Sequence, residues 1–300
     1  IAWPQAFCHT VSMKDKSQPV VSFVVSRVQA GQSLQEFLAA RLSISKRAAK
    51  NLLDERVVWV NRRCVWMTHH TLKTGDTVEL PSANLSKQSA ASPASAIRIL
   101  VQDDFYLVAD KPSNMLSVGA RSVEETLRTQ TGLATLRAVH RLDRDTTGCL
   151  LFAKNDAAFD AAVEIFKTRR VSKHYRVIVY GRYERAASTV EQELDGERAV
   201  SHIQREMATK DASFLKVKIE TGRTHQIRRH LASLRHPVLG DREHGIKHAR
   251  DPRLLTVPRQ MLHAAGLEMP HPMLPGETLK AHSPLPADFR RCLKLFGMGK

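Results

Sequence analysis

The sequence predicts an α+β protein in two parts, a small N-terminal unit and a larger domain behind it. Three observations predict this. Apolar residues recur at helical spacing in some segments and alternate or run unbroken in others, so helices and strands are both present. In the larger part the two kinds of element do not alternate strictly, which argues against a doubly wound parallel sheet. Between the parts lies a Ser/Ala-rich stretch without periodicity, SANLSKQSAASPASA at 82–96, the composition of a flexible linker. The expected layout is a poorly ordered lead-in over 1–22, a compact unit over 23–81, the linker, and a domain over 97–296.

In the first unit Ser33, with Glu36 three residues on, forms a capping box that satisfies free backbone donors at a helix start. Leu34, Phe37, Leu38 and Leu42 follow at helical spacing, and a second helix begins near Ser45 with Ala48, Ala49, Leu52 and Leu53 facing inward. Lys46, Arg47 and Lys50 fall close together on that helix, because residues three and four apart are neighbours. A β-branched run (Val57 to Val60), a turn at Asn61-Arg62-Arg63, a strand around Val65-Trp66 and a last strand over Thr77 to Leu80 complete the unit.

In the larger part, Ile97 to Val101 and Phe105 to Ala109 flank a tight turn at Gln102-Asp103-Asp104, and Lys111-Pro112 opens a loop. Val123 to Gln130 and Asp156 to Thr168 read as helices, Tyr175 to Tyr180 and Phe214 to Glu220 as strands. Thr224 to Leu234 reads as a helix with Thr224 as its N-cap and Ile227, Leu231 and Leu234 on one face.

Charge narrows the function. Lys and Arg number 46 against 30 Asp and Glu, a formal +16, which favours a polyanionic partner. No run of about 18 apolar residues is present to span a membrane, and neither end carries a strongly amphipathic basic helix. Nucleic acid is therefore the expected partner, with no membrane association. The four cysteines, Cys8, Cys64, Cys149 and Cys292, form no CxxC pair, so neither a zinc site nor a disulfide framework is expected and a reducing cytoplasm fits. His225 and His230 are five apart and share no helix face. The start of the chain lacks a signal-peptide layout, and Met13 is a candidate initiator.

Two clusters carry chemistry. His140-Arg141-Leu142-Asp143-Arg144-Asp145-Thr146-Thr147-Gly148 sets two carboxylates among arginines just before the apolar strand Cys149 to Ala153. Neighbouring guanidinium groups favour an ionised carboxylate, the form that attacks carbon or takes a proton, and they grip phosphates. In an extended segment Asp143 and Asp145 would share a face, and such a pair can also hold Mg²⁺ for phosphodiester cleavage; spacing alone favours neither residue. Far downstream stands Thr221-Gly222-Arg223-Thr224-His225-Gln226-Ile227-Arg228-Arg229-His230.

The phrases HRLDRDTTG and TGRTHQIRRHLASLRHPVLGD together resemble the RluA-type family of RNA pseudouridine synthases. The order of elements over SLQEFLAARLSISKRAAKNLLDERVVWVN and LKTGDTVEL resembles the S-four-type RNA-binding module often placed ahead of such domains. The resemblance implies a mainly antiparallel mixed sheet in two halves with an RNA cleft between them. It implies a monomeric enzyme that isomerises uridine to pseudouridine without cofactor or metal. Large-subunit ribosomal RNA is the favoured substrate and transfer RNA the second.

By the same resemblance Asp143 is the catalytic carboxylate, whether by attack on ribose, attack on the base or removal of a sugar proton. Asp145 then stabilises the loop. Arg223 is expected to pair with Asp143, and Tyr175, in Lys173-His174-Tyr175, to stack on the everted base. Lys173 supports the site or touches phosphate. Arg141 fills the gap left by the base or binds a phosphate, Leu262 lines the pocket or is plain core, and Arg228 adds positive charge around the cleft. In the N-terminal unit Lys46, Arg47, Lys50, Arg62 and Arg63 would lie against the RNA backbone, and Trp59 and Trp66 would stack on bases or fill the core. One departure stands out: Lys111-Pro112-Ser113-Asn114 replaces the family's K-P-x-G, and Asn is a residue that tolerates positive φ. The rival readings are a non-catalytic RNA-binding or ribosome-assembly protein and a metal-dependent ribonuclease built on Asp143 and Asp145.

Overall fold

The computed structural model describes residues 20–42, 44–54, 57–81, 96–246 and 251–299. The chain divides into two compact units, Ile1–Pro93 and Ala94–Lys300. The expected lead-in and linker lie outside the described residues, apart from Val20 to Ser22 and Ala96.

The first unit runs β1 (Val20–Val24), α1 (Leu34–Arg41), α2 (Lys46–Asp54), β2 (Trp59–Val60), β3 (Arg63–Cys64) and β4 (Thr77–Pro81). Its sheet has the order β1-β4-β2-β3. The unit starts earlier than expected, since Val20 to Ser22 pair with Pro81 to Glu79 in the β1–β4 ladder. Ser33 caps α1 as its sequence requires: its Oγ accepts the Glu36 N–H at 3.3 Å and donates to Glu36 Oε2 at 3.0 Å. Asn61 and Arg62, both at positive φ, make the two-residue turn between β2 and β3. The strand expected around Val65-Trp66 falls earlier, at Arg63–Cys64, with one further bond from the Val65 N–H to the Val58 carbonyl at 3.0 Å. Leu34, Phe37, Leu38, Ala49, Leu52 and Leu53 pack on Val58, Val60, Val78 and Leu80 to make this unit's core.

The second unit contains β5 (Ile99–Gln102), β6 (Tyr106–Lys111), α3 (Val123–Thr131), β7 (Arg137–Ala138), β8 (Thr147–Ala153), α4 (Asp156–Lys167), β9 (Ser172–Tyr180), β10 (Ala187–Leu194), β11 (Glu197–Ala208), β12 (Ala212–Ile219), α5 (Gln226–Ser233), α6 (Pro252–Leu255), β13 (Leu262–Pro270), β14 (Thr278–His282) and α7 (Ala287–Leu295). One large sheet has the order β10-β11-β12-β9-β13-β8-β6-β5, with β14 on β13 and β7 on β8. Among the described strands every pairing is antiparallel except β13 with β8.

That parallel seam positions the site. It joins the β9–β12 hairpins to the β5, β6 and β8 group and sets the first residues of β8 and β13 side by side, Thr147 opposite His263 and Gly148 opposite Ala264. Gly148 lies at φ +108, and a Cβ there would collide with the Ala264 carbonyl, so only glycine lets the strands meet so closely. β8 is apolar at successive positions because helices cover both of its faces. Leu150 and Phe152 share a core cluster with Val123 and Leu127 of α3 and with Ile227 and Leu231 of α5. Cys149, Leu151 and Ala153 pack with Ala158 and Ala162 of α4.

Candidate active site

Asp143 leads a tight turn into β8, closed by the Thr146 N–H on the Asp143 carbonyl at 3.1 Å. The segment is therefore not extended, and Asp143 and Asp145 do not share a face as a strand would make them do. Two buried cations hold the turn from beneath. Lys111, 1% exposed at the end of β6, donates to the carbonyls of Pro112, Arg144 and Thr146 at 2.9, 2.8 and 3.0 Å. Those three acceptors match the three N–H groups of an ammonium. Burial pushes Lys111 down to about 7, against the pull of the Asp145 and Asp143 carboxylates. Arg259 donates to the Asp145 carbonyl at 3.0 Å, while Asp288 accepts from its Nε and Nη2 at 2.7 and 3.1 Å.

Side chains complete the clamp. Gln260 donates to the Thr146 hydroxyl at 2.7 Å, and Thr147 Oγ1 lies 2.9 Å from His263 Nδ1. His263 Nε2 faces the Ser283 carbonyl at 3.0 Å. A carbonyl only accepts, so Nε2 carries the proton and Nδ1 accepts from Thr147. The Ser117 hydroxyl and Leu142 exchange hydrogen bonds through the Leu142 N–H and carbonyl, at 2.9 and 3.0 Å. Asn114, standing where glycine is usual, sits at φ +60 as its side chain allows, and its carboxamide oxygen accepts from Arg144.

The arginine that meets Asp143 is Arg228, not Arg223. Arg228, in the first turn of α5, donates through Nη1 to Asp143 Oδ2 at 3.2 Å. Its Nε and Nη2 form a two-toothed pair with Asp241 at 2.6 and 2.8 Å, and Glu243 Oε2 lies 3.3 Å from Nη2. Burial by itself would lower the Arg228 pKa, but the hydrogen bonds and charges of Asp241 and Asp143 outweigh it and raise it. Asp241 mirrors this: its side chain is fully buried, which opposes ionisation, yet Arg228 and the His244 and Glu243 N–H groups hold it below the usual carboxylate range.

Arg223 instead pairs with Glu197 at the start of β11 and reaches the Arg198 carbonyl at 3.5 Å. The cause is local. The Gln226 carboxamide oxygen accepts from the Arg223 N–H at 3.1 Å and from the Thr221 hydroxyl at 2.7 Å, which curls the segment and sends Arg223 toward β11. His225, at φ +53 with no capping bond from its side chain, then stands at the N-cap in place of the expected Thr224. Its Nε2 lies 3.8 Å from Asp143 Oδ1.

Tyr175 lies in β9 between Val217 and Ala264 and is 7% exposed. Burial first, then the Asp143 charge, pushes its hydroxyl above the ordinary tyrosine range. Leu262 is buried with Leu142 and Tyr175 in one cluster, so it belongs to the core that backs the site. Lys173 Nζ donates to the Thr221 carbonyl at 3.3 Å and is lowered to about 8 by burial and by Arg223; it belongs with Arg223. Arg141 is exposed on the loop. His140, just before it, accepts the Leu151 N–H through Nε2 at 3.2 Å, and burial lowers it to about 3. Asp143 itself keeps a quarter of its side chain open to solvent.

In the N-terminal unit Lys46 and Lys50 are exposed on α2, and Arg62 and Arg63 are exposed at the β2–β3 turn. Lys46 is engaged with Glu36 at 2.8 Å, and the Arg47 side chain lies outside the described residues. Trp66 is 47% exposed, whereas Trp59 is half-buried.

Lys111, Arg259, Gln260, Asp241 and Glu243 are absent from the sequence-level site. Lys111 was legible only as half of a Lys-Pro pair opening a loop. Asp241 stood beside Gly240 with no signal of burial, and Arg259 with none at all.

A carboxylate at a clamped turn, an arginine from a helix start and a strand tyrosine now stand together, and comparison places them. The RNA pseudouridylate synthase family model matches residues 105–233, which span all three. The chain belongs to this family, and its activity is that of an isomerase acting on RNA. It is 30% identical to ribosomal large subunit pseudouridine synthase C of Pasteurella multocida over 92% of this chain and 94% of that protein. It is 32% identical to ribosomal large subunit pseudouridine synthase D of Xanthomonas campestris over 86% and 84%. Among solved structures, human RNA pseudouridylate synthase domain containing 1 matches with a TM-score of 0.56 and 26% identity, over 67% of this chain and 90% of that one. No helix among the described residues is long and apolar enough to cross a membrane.

Proposed function

We propose that this enzyme converts uridine to pseudouridine in large-subunit ribosomal RNA, with Asp143 as the catalytic carboxylate. The observation that carries the assignment is the position of Asp143. It is partly open to solvent, held by Arg228 at 3.2 Å, and borne on a turn clamped by buried Lys111 and Arg259. A rigid turn keeps the side chain aimed without cost at the moment of reaction. The ribosomal substrate rests on the names of the two relatives, both large-subunit enzymes.

The chemistry detaches uracil from its ribose, turns it and rejoins it through carbon. Nothing is oxidised and nothing is added, so the reaction calls on a carboxylate and a pocket for a base turned out of its stack. In this reading the base stacks on Tyr175, and Arg141, exposed on the Asp143 loop, takes the vacated place in the helix, where it offsets part of the few kcal/mol that flipping costs. Lys173 and Arg223 hold phosphate on the β11 side. The N-terminal unit, through Lys46, Arg47, Lys50, Arg62 and Arg63, adds backbone contacts that raise affinity without choosing the site.

The test uses large-subunit ribosomal RNA transcripts carrying tritium on uracil C5, which is released as the new bond forms there. Release is expected from wild type and lost in Asp143→Asn; release that persists in that variant refutes the catalytic assignment. Release from transfer RNA transcripts alone would refute the ribosomal one. Deleting residues 1–96 is expected to weaken RNA binding and flatten its dependence on salt.

A further inference from the structure

We propose that His225, His244 and Glu243 form a binding site for a zinc-class divalent metal ion, one imidazole ring away from Asp143. The three side chains bring one donor atom each into a single group. His225 Nδ1 lies 3.1 Å from His244 Nε2 and 3.3 Å from Glu243 Oε2, and His244 Nε2 lies 3.5 Å from Glu243 Oε1. Zinc bonds of about 2.0–2.1 Å in a tetrahedron put ligands about 3.3–3.4 Å apart. The His225–His244 edge and the His225–Glu243 edge through Oε2 stand near those lengths, while His244 meets the other carboxylate oxygen, Oε1; two imidazoles with one carboxylate are a set that zinc takes while leaving a fourth position for water.

The surroundings fit a cation. Asp143, Asp241 and Glu243 all lie within salt-bridge reach of Arg228. The loop that presents two of the ligands is built for it. Asp241 Oδ1 accepts the N–H groups of both Glu243 and His244 at 3.0 Å. Gly245 lets the chain turn back, since a Cβ there would strike the Asp241 carbonyl.

The third ligand, His225, sits in the left-handed region at φ +53 without capping its helix. Histidine is among the residues that adopt this region, and the conformation brings its Nδ1 to His244 and Glu243. That ring faces the cluster with Nδ1 and Asp143 with Nε2 at 3.8 Å. The site stands on this geometry and not on the catalytic role of Asp143.

The test titrates metal-free full-length protein with Co²⁺, whose tetrahedral complexes absorb far more strongly than the aquo ion. One equivalent of Co²⁺ is expected to bind with the tetrahedral spectrum, to yield to Zn²⁺ and to be indifferent to excess Mg²⁺, which prefers oxygen ligands. His244→Asn and Glu243→Gln, at partly exposed positions, are each expected to weaken Co²⁺ binding at least tenfold while leaving the circular dichroism unchanged. Co²⁺ affinity that is equal in wild type and both variants, or an aquo-type spectrum at every concentration, overturns the site.

Discussion

Replacing Arg228 by alanine and, separately, Arg223 by alanine separates the two arginines that could serve Asp143. The Arg228 side chain is 6% exposed and that of its partner Asp241 is 0% exposed, so Arg228→Ala strands a buried carboxylate. Breaking a buried pair in this way costs about 3–5 kcal/mol. In a domain of this size each kcal/mol lowers the melting temperature by about 2–4 °C, so a fall on the order of 10 °C is expected. Asp143 also loses the donor at 3.2 Å, and an aspartate that wanders by about 1 Å should slow tritium release by on the order of 100-fold. Arg223 and Glu197 are 34% and 56% exposed, where an ion pair contributes about 0–1 kcal/mol. Arg223→Ala should therefore melt within about 3 °C of wild type and act chiefly on RNA affinity. Urea or calorimetric unfolding reads the first quantity and single-turnover tritium release the second. If Arg228→Ala were as stable and as fast as wild type while Arg223→Ala lost both, the assignment of Arg228 as the Asp143 partner would be wrong.

Lys111→Met leaves the carbonyls of Pro112, Arg144 and Thr146 without their donor, and should cost on the order of 3 kcal/mol; denaturant unfolding and turnover both unchanged would show that the turn is held by other means. Gly148→Ala forces a side chain into the β8–β13 seam at φ +108 and should destabilise by about 2 kcal/mol or more, so a variant melting like wild type would contradict the close approach. Acid stability carries a sign that follows from Asp241. Its folded pKa is depressed below the ordinary 3.8, so its contribution is fully present above about pH 4 and is lost as pH falls through the lower folded value. Asp241→Asn should accordingly be less stable than wild type at neutral pH and show a shallower loss of stability as pH falls below about 4.

Where local chemistry dictates conformation, the sequence was a sufficient guide. Ser33 and Glu36 cap α1, Asn114 takes positive φ, and Ile227 and Leu231 bury one face of α5 with Leu234 packed beside them. Each of these follows from a residue and its near neighbours. The choice between Arg223 and Arg228 did not, because it depends on how Gln226 curls the chain and on where Asp241 arrives, thirteen residues beyond Arg228. A signal was present in retrospect: Arg228 stands in the first turn of a helix, where direction is fixed, whereas Arg223 stands in a loop. The extended reading of Asp143 and Asp145 failed for a similar reason, since Lys111 and Arg259, which impose the turn, reach it from 33 and 114 residues away.

The motifs alone were enough to indicate the class of chemistry, because two long phrases carry the family resemblance, and composition alone indicated the two-part layout. Which cation meets Asp143, what holds its turn and which imidazoles gather beside it were settled only by folding. These are contacts across a parallel seam and a helix start, and the free energy of a buried charge depends on what surrounds it in space, not on what precedes it in the chain.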